Sequence, residues 1–227
     1  RARSEQMINK IHLGYNPDSW DAFTKSALES SYKQEFLEKT GLSIFKEDKT
    51  FDRFKGRIIF PIHSISGRIL GFGGRALKKD EKAKYLNSPE SEIYHKGKVL
   101  YGVYFSKSAI IKNDNCLIVE GYTDVISMHQ SGIENVVASS GTALGSEQIK
   151  LIGRYTKNIT LLFDSDNAGI NAATKAIDLI LIESMTVKVA LLPEGDDPDS
   201  YAKKYGGEGL TKYINEQAQD FVEFKIN

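Results

Sequence analysis

The sequence predicts an α/β protein whose parallel sheet is covered by helices on both faces, with a basic α+β region before it and a helical tail after it. After residue 115, four short apolar runs alternate with helix-like segments. Strands buried in a parallel sheet have this continuous apolar character, and helices connect them. Before that point, helical spacing gives way to two apolar runs around a Ser66–Gly67 turn, which is typical of a hairpin.

The composition is that of a folded globular protein. Hydrophobic residues make up 41% and charged residues 26% of the 227 residues, which excludes a wholly disordered chain. No apolar run approaches the roughly 18 residues of a membrane span, and no secretory signal is visible, so we expect no membrane association. A single cysteine, Cys116, excludes an intrachain disulfide and a cysteine-built zinc site, and favours the reducing cytoplasm.

The first half predicts two short helices and then a hairpin. Pro17 opens the first helix and Gly41 ends the second. Their apolar positions at helical spacing are Trp20, Phe23, Ala27 and Leu28, then Tyr32, Phe36 and Leu37. Strands are predicted over 57–62 and 68–72, and the polar stretch 78–98 is predicted to be mostly loop.

The second half supplies the parallel sheet. The predicted strands are 116–119, 135–139, 159–163 and 187–191, and the predicted helices are 123–131, a segment from Ser146 and 167–183. The tail from Tyr201 to Asn227 is predicted to be helical. We therefore expect three regions: a basic α+β subdomain over 1–113, a metal-binding domain over 114–200, and the start of a helical subdomain over 201–227.

The zero net charge hides a strong asymmetry. Residues 1–112 carry 21 basic and 13 acidic side chains, a net charge of +8, whereas residues 113–227 carry 9 and 17, a net charge of −8. Residues 53–107 alone account for +8. This distribution is typical of a nucleic-acid or nucleotide binder with a carboxylate metal site, and equally of two oppositely charged halves that dock.

Acidic residues follow three of the four predicted parallel strands. They are Glu120 after the first strand, with Asp124 one turn later, Asp164 and Asp166 after the third, and Asp197 and Asp199 after the fourth. Ligands of open parallel sheets bind outside the carboxyl ends of the strands. Clustered carboxylates repel one another, and a divalent cation such as Mg²⁺ relieves that repulsion. Two such ions about 4 Å apart can activate a hydroxyl and stabilise a leaving pyrophosphate.

Most of these carboxylates also have a purely structural explanation. Asp164 or Asp166, and likewise Asp199, could be helix N-caps, and Asp124 could complement a helix dipole. Glu120 lacks such an explanation, because glutamate is a poor N-cap and is disfavoured after an apolar strand. The convergence of several carboxylates on one edge therefore carries the prediction.

Two segments resemble the toprim signature. They are 119–124, which contains Glu120, and 163–166 with Ala168 and Gly169. Further segments resemble bacterial DNA primases of the DnaG type, in that family's order. These are 60–62, 67–68, 71–75, 84–90, 95–97, 100–102, 139–142 and 192–199. The resemblance extends from about Gly14 to about Gly206.

The resemblance implies a toprim fold and the catalytic core of a primase, a DNA-directed RNA polymerase. Such a core would copy a single-stranded DNA template into a short RNA primer from ribonucleoside triphosphates. It implies that Glu120, Asp164 and Asp166 are catalytic and bind Mg²⁺ or Mn²⁺, two or more ions in all. The further metal-binding positions implied are Asp197, Asp199 and Asp124.

The same resemblance implies a nucleotide site and a DNA track in the basic half. Nucleotide-binding positions would be Lys84, Tyr85, Asn87, Lys96 and Tyr122, and DNA-binding positions would be Arg75, Lys84 and Lys96. Considered alone, the two lysines could equally belong to a solvated loop, and Tyr85 and Tyr122 could be ordinary packing aromatics.

The resemblance also sets expectations for partners and for alternatives. The missing initiator Met and the single cysteine suggest a catalytic-core fragment without the family's zinc module or its helicase-binding module. We expect a cytoplasmic monomer that would meet the replicative helicase only through a module not present here. A toprim nuclease or topoisomerase and a non-enzymatic nucleic-acid-binding module remain the alternatives. DNA shortening with metal would favour a nuclease, and metal-independent DNA binding without incorporation would favour the binding module.

Overall fold

The computed structural model describes residues 3–78, 80–141 and 143–226. Their contacts divide the chain into two compact units. The N-terminal unit comprises Glu5–His63 and Arg68–Lys96. The C-terminal unit comprises Ser64–Gly67, residues 97–226, and also Arg3 and Ser4. The three-region division at 113 and 200 remains a prediction.

The N-terminal unit is an antiparallel α+β unit. Its helices are α1 (Glu5–Lys10), α2 (Ala22–Glu29) and α3 (Gln34–Lys39). Its strands are β1 (Gly14–Asn16), β2 (Ser43–Lys46), β3 (Lys49–Asp52), β4 (Arg57–His63), β5 (Ile69–Ala76) and β6 (Tyr85–Asn87). A four-stranded sheet has the order β1-β4-β5-β6, and β2 pairs with β3 as a separate hairpin.

The hairpin prediction is confirmed, but the first helix prediction is wrong at its start. The helix begins at Ala22, and Trp20 before it is 68% exposed. A carboxylate from β3 satisfies the first turn of α2, because Asp52 accepts hydrogen bonds from the backbone N–H groups of Phe23 (2.8 Å) and Thr24 (3.0 Å). This long-range cap fixes where the helix starts. Strands β1, β2, β3 and β6 were not predicted, since they are only three or four residues long.

The C-terminal unit has the predicted parallel sheet. Its helices are α4 (Val103–Asn113), α5 (Tyr122–Gln130), α6 (Ser146–Ile152), α7 (Asn167–Ile182), α8 (Pro198–Gln217) and α9 (Phe221–Ile226). Its strands are β7 (Cys116–Val119), β8 (Val136–Ala138), β9 (Asn158–Phe163), β10 (Thr186–Leu191) and β11 (Gln219–Asp220). The order is β11-β10-β9-β7-β8, with β7 to β10 parallel and β11 antiparallel to β10. The α/β fold class is confirmed.

The tail is not one continuous helix. Gly206 has a left-handed backbone with φ 71°, which breaks α8, and the short strand β11 separates α8 from α9. Glycine tolerates this conformation without a side-chain clash. Within the described residues, no helix combines the length and apolar character needed to cross a membrane.

The core of this unit explains why its strands are apolar throughout. Ile118, Val137 and Leu161 on successive strands are all buried, and so are Ile177 and Ile180 on α7. Each such side chain contributes about 1.5–3 kcal/mol through burial. Because both sheet faces are covered, the polar side chains after the strands are the ones available for chemistry at the sheet's carboxyl edge.

Candidate active site

The sheet order creates a switch point between β7 and β9. After β7 the chain runs to β8 on one side and then returns to β9 on the other side. Crevices at such points, beyond the carboxyl ends of the strands, are where open parallel sheets bind ligands. Glu120 follows β7 directly and Asp164 follows β9 directly. Two of the three predicted catalytic carboxylates therefore flank the switch point.

The carboxylates at this edge perturb one another. Burial raises the pKa of Glu120 above its usual value, and the negative charges of Asp164 and Asp166 raise it further. A hydrogen bond from the backbone N–H of Asp164 partly opposes this increase. The pKa of Asp164 is raised by burial and by the charges of Asp197 and Asp166. Four of the six predicted acidic residues thus act electrostatically as one group.

Two of the four also cap helices. Asp166 Oδ1 accepts a hydrogen bond from Gly169 N (2.8 Å) at the start of α7, and Asp197 Oδ1 accepts one from Ser200 N (2.6 Å) at the start of α8. A carboxylate has about four acceptor positions on its two oxygens. The capping explanation and the ligand explanation are therefore compatible for these residues.

Three members of the group, Asp164, Asp166 and Asp197, line a cavity of about 580 Å³ in the C-terminal unit. Its lining residues are Asp164, Ser165, Asp166, Glu194, Gly195, Asp196 and Asp197. Lys204 Nζ pairs with Asp196 Oδ1 at 2.6 Å, which keeps the pKa of Asp196 low. Five of the seven lining residues are acidic and Lys204 pairs with only one of them, so the cavity is anionic and suits a cationic ligand.

The oxygen donors of this group fit a hard divalent ion. No three His, Cys, Asp or Glu side chains of the described residues are close enough to form a ready metal cage. Mg²⁺ does not require one, since it is usually held by one or two carboxylates together with waters and substrate phosphates. Two carboxylates from among Glu120, Asp164 and Asp166 could supply those protein ligands.

The other two acidic residues have different surroundings. Asp124 accepts a hydrogen bond from Gly121 N (3.2 Å) at the start of α5, as the helix-dipole explanation predicts. Asp199 is 1% exposed, accepts a hydrogen bond from Ser127 Oγ, and pairs with Arg3 and Lys203. Asp164, Asp166 and Asp197 therefore line the cavity, whereas Asp124 and Asp199 have partners at the starts of α5 and α8. The metal-binding role of all six acidic residues remains a prediction.

Part of the predicted nucleotide site is assembled in the N-terminal unit. Arg75 on β5 lies opposite Tyr85 on β6, with its guanidinium carbon 5.6 Å from the centre of the tyrosine ring. Asn87 lies opposite Gly73 on the same strand pair, and Lys84 directly precedes β6. The β5–β6 pair thus presents a cation, an aromatic ring and an amide together.

Lys96 and Tyr122 are placed differently. Lys96 begins a short 3-10 helix (Lys96–Lys98), and its backbone N–H donates to the Glu90 carboxylate (2.8 Å). Tyr122 is 2% exposed and packs edge to face on Tyr101, with ring centres 4.7 Å apart. Its position matches the packing alternative, because a buried ring has no free face for a base.

The sequence did not predict the roles of two residues near the site. Arg3 reaches Asp199 from a distant part of the chain, and no local pattern marks it. Gly169 was noted only as part of a motif. A Cβ atom there would overlap the backbone carbonyl of Asp164, so close packing requires glycine. Thr142, which belongs to one resembling segment, lies outside the described residues.

Comparisons with known proteins agree with this geometry. Residues 1–107 match the family model described as "DNA primase catalytic core, N-terminal domain", and residues 117–202 match the one described as "Toprim-like". A curated protein named DNA primase from Clostridium acetobutylicum is 39% identical over the whole chain. The chain covers 38% of that relative's length.

Solved structures show the same similarity. The E. coli primase catalytic core is 36% identical with a TM-score of 0.89, covering 99% of this chain and 72% of that one. A DnaG primase catalytic domain bound to single-stranded DNA is also 36% identical, with a TM-score of 0.89, covering 99% and 73%.

Proposed function

The chain belongs to the bacterial DNA primases of the DnaG type, and on that premise we propose that it is the catalytic core of a DNA-directed RNA polymerase. It would copy single-stranded DNA into short RNA primers from ribonucleoside triphosphates. Support comes from a curated relative named DNA primase and from a similar catalytic domain solved with single-stranded DNA.

One observation carries the proposal: carboxylates that perturb one another flank the switch point of a parallel sheet and open onto an anionic cavity. Toprim and primase families use divalent metal ions. Two or more Mg²⁺ or Mn²⁺ ions held by Glu120, Asp164 and Asp166 would neutralise phosphate charge and activate the attacking 3′-hydroxyl. Such transfer depends on positioning and charge neutralisation rather than on a nucleophilic side chain.

The acidic residues at the sheet edge have complementary tasks. Glu120 and Asp164 would hold divalent ions from two neighbouring strands, and Asp166 and Asp197 would add negative charge from the N-caps of their helices. Asp166 and Asp197 accept hydrogen bonds from the first turns of α7 and α8, so their carboxylates are oriented before substrate arrives.

The N-terminal unit would hold the nucleic acid. Arg75, Lys84 and Lys96 would bind phosphates, since charge-assisted hydrogen bonds to phosphate are strong. Tyr85 would offer its ring to a base and Asn87 its amide. The buried ring of Tyr122 is not assigned a contact with nucleotide.

The remaining expectations belong to the same proposal. The region boundaries 1–113, 114–200 and 201–227, a cytoplasmic location and a monomeric state are proposed here. Contact with the replicative helicase would involve parts of the protein outside this chain.

Ribonucleotide incorporation on single-stranded DNA with a pre-annealed RNA primer tests the function. We expect extension with Mg²⁺ or Mn²⁺ that Asp164→Asn abolishes. Asp178→Asn is the matched control, because Asp178 is an exposed aspartate on α7 whose partner is Lys225. Absence of extension by the folded wild-type chain, or metal-dependent shortening of the DNA, would exclude the proposed polymerase. Extension by Asp164→Asn at the wild-type rate would exclude the catalytic role of Asp164.

A further inference from the structure

Asp199 takes part in a buried network that uses both of its carboxylate oxygens. Oδ1 accepts a hydrogen bond from Ser127 Oγ and lies 3.1 Å from Arg3 Nη1. Oδ2 lies 2.8 Å from Lys203 Nζ. The Arg3 and Asp199 side chains are only 9% and 2% exposed. A metal ligand at Asp199 would have to give up these partners and leave a buried guanidinium without its counter-ion, which is costly.

The network joins two elements that carry active-site carboxylates. Asp199 lies in the first turn of α8, two residues after Asp197. Arg3 also donates to Ser127 Oγ (2.6 Å) and to the Thr123 carbonyl (3.0 Å), both on α5. Helix α5 begins two residues after Glu120. One arginine and one aspartate therefore tie the helix that starts beside Glu120 to the helix that starts at Asp197.

We propose that Asp199, together with Arg3 and Ser127, is a positioning residue that holds Asp197 in register with Glu120, and that Asp199 is not a metal ligand. The inference rests on the proposed function only in taking the cavity carboxylates as the metal site. Arg3 makes the arrangement possible, because a buried carboxylate needs a cation and hydrogen-bond donors around it.

Mn²⁺ binding, followed by the electron paramagnetic resonance signal of the free ion, tests the inference without any substrate. We expect Arg3→Met and Asp199→Asn to weaken Mn²⁺ binding by a similar factor of about ten. The double variant should bind no more weakly than either single variant, since both remove the same link. Arg3→Lys should restore binding only in part, because it keeps the positive charge but loses the two nitrogens that reach Asp199, Ser127 and Thr123 together.

The same variants are compared for thermal stability. Breaking the buried pair should lower Tm by roughly 6–20 °C. Ile177→Val, a core change on α7, is the control for lost stability alone. If Arg3→Met does not fold, Ser127→Ala and Arg3→Lys carry the comparison, because each keeps part of the network.

Three results would overturn the inference. Weak Mn²⁺ binding in Asp199→Asn but not in Arg3→Met would make Asp199 a direct ligand. Binding by both variants equal to that of Ile177→Val would make the network merely structural. A wild-type chain that binds no Mn²⁺ would overturn the metal site of the proposed function as well. The first two results would leave that metal site intact, so failure of the inference alone can be told from failure of both proposals.

Discussion

Replacing Gly169 by Ala tests the close packing behind the site. Gly169 lies in the first turn of α7, and its amide donates to Asp166 Oδ1. A Cβ there would lie 3.1 Å from the carbonyl carbon of Asp164 and would overlap the carbonyl oxygen. Relief of that overlap needs a shift on the order of 1 Å, since unstrained contacts between non-bonded atoms lie near 3.5–4.0 Å.

Two effects of opposite sign compete in this variant. Alanine is favoured over glycine inside a helix by roughly 0.5–1 kcal/mol. Overpacking a buried position costs about 1–3 kcal/mol, and here the obstacle is backbone rather than a flexible side chain. We therefore expect a net loss near 1–2 kcal/mol, seen as a Tm lower by roughly 2–8 °C.

The effect on activity should exceed the effect on stability. The displaced backbone belongs to Asp164, and a misplacement of about 1 Å in a catalytic group lowers rates roughly 100-fold. Primer extension and thermal unfolding measure the two effects on one preparation. Gly14→Ala is the matched control, because its Cβ would make an ordinary 3.6 Å contact with Ile59. A Gly169→Ala variant as stable as the wild type and within threefold of its extension rate would refute the reasoning.

Three further outcomes are expected. Asp52→Asn should lower the free energy of unfolding, measured in urea, by roughly 2–5 kcal/mol, since it leaves buried donors at the start of α2 without acceptors. Asp18→Asn on the surface should lower it by under about 1 kcal/mol. Equal losses would contradict the long-range cap. The raised pKa values of Asp164 and Glu120 favour the folded state at low pH. Without metal, Tm should therefore fall as the pH rises from the usual pKa values of 3.8 and 4.5 through the raised ones, and Mn²⁺ should reverse that fall. A flat metal-free profile would count against this. Burial raises the pKa of the Cys116 thiol, so iodoacetamide followed by mass spectrometry should find it unmodified until the protein unfolds, and rapid native labelling would oppose this.

The elements that the sequence predicted well have signals that lie within one segment. The runs that became β7 and β9 are apolar throughout because both faces are buried, and α7 has a full apolar stripe with Ala173 and Ile177 inside. Glu120 was identified for the same reason, since a charge directly after such a strand is hard to explain as a helix cap. Its metal-binding role remains a prediction.

The misses depend on partners far away in the chain. Asp52 caps a helix about thirty residues before it, so nothing near Trp20 shows that the helix starts later. The aspartates of the segment 196–199 look alike in sequence. The charge of Asp197 raises the pKa of Asp164, whereas Asp199 pairs with Arg3. No local pattern contains that difference, because it arises only when α8 packs on α5.

The two-residue strand β11 has a consequence for expressing shorter pieces of this chain. It pairs with β10 at Lys188 and Val189 and so covers backbone groups of the last parallel strand. An uncovered strand of this kind is a template for self-association and aggregation. Truncation before Gln219 should therefore give a protein that keeps its cavity carboxylates but forms oligomers with rising concentration. Light scattering on such a truncation, beside the full chain, would separate loss of solubility from loss of the active site.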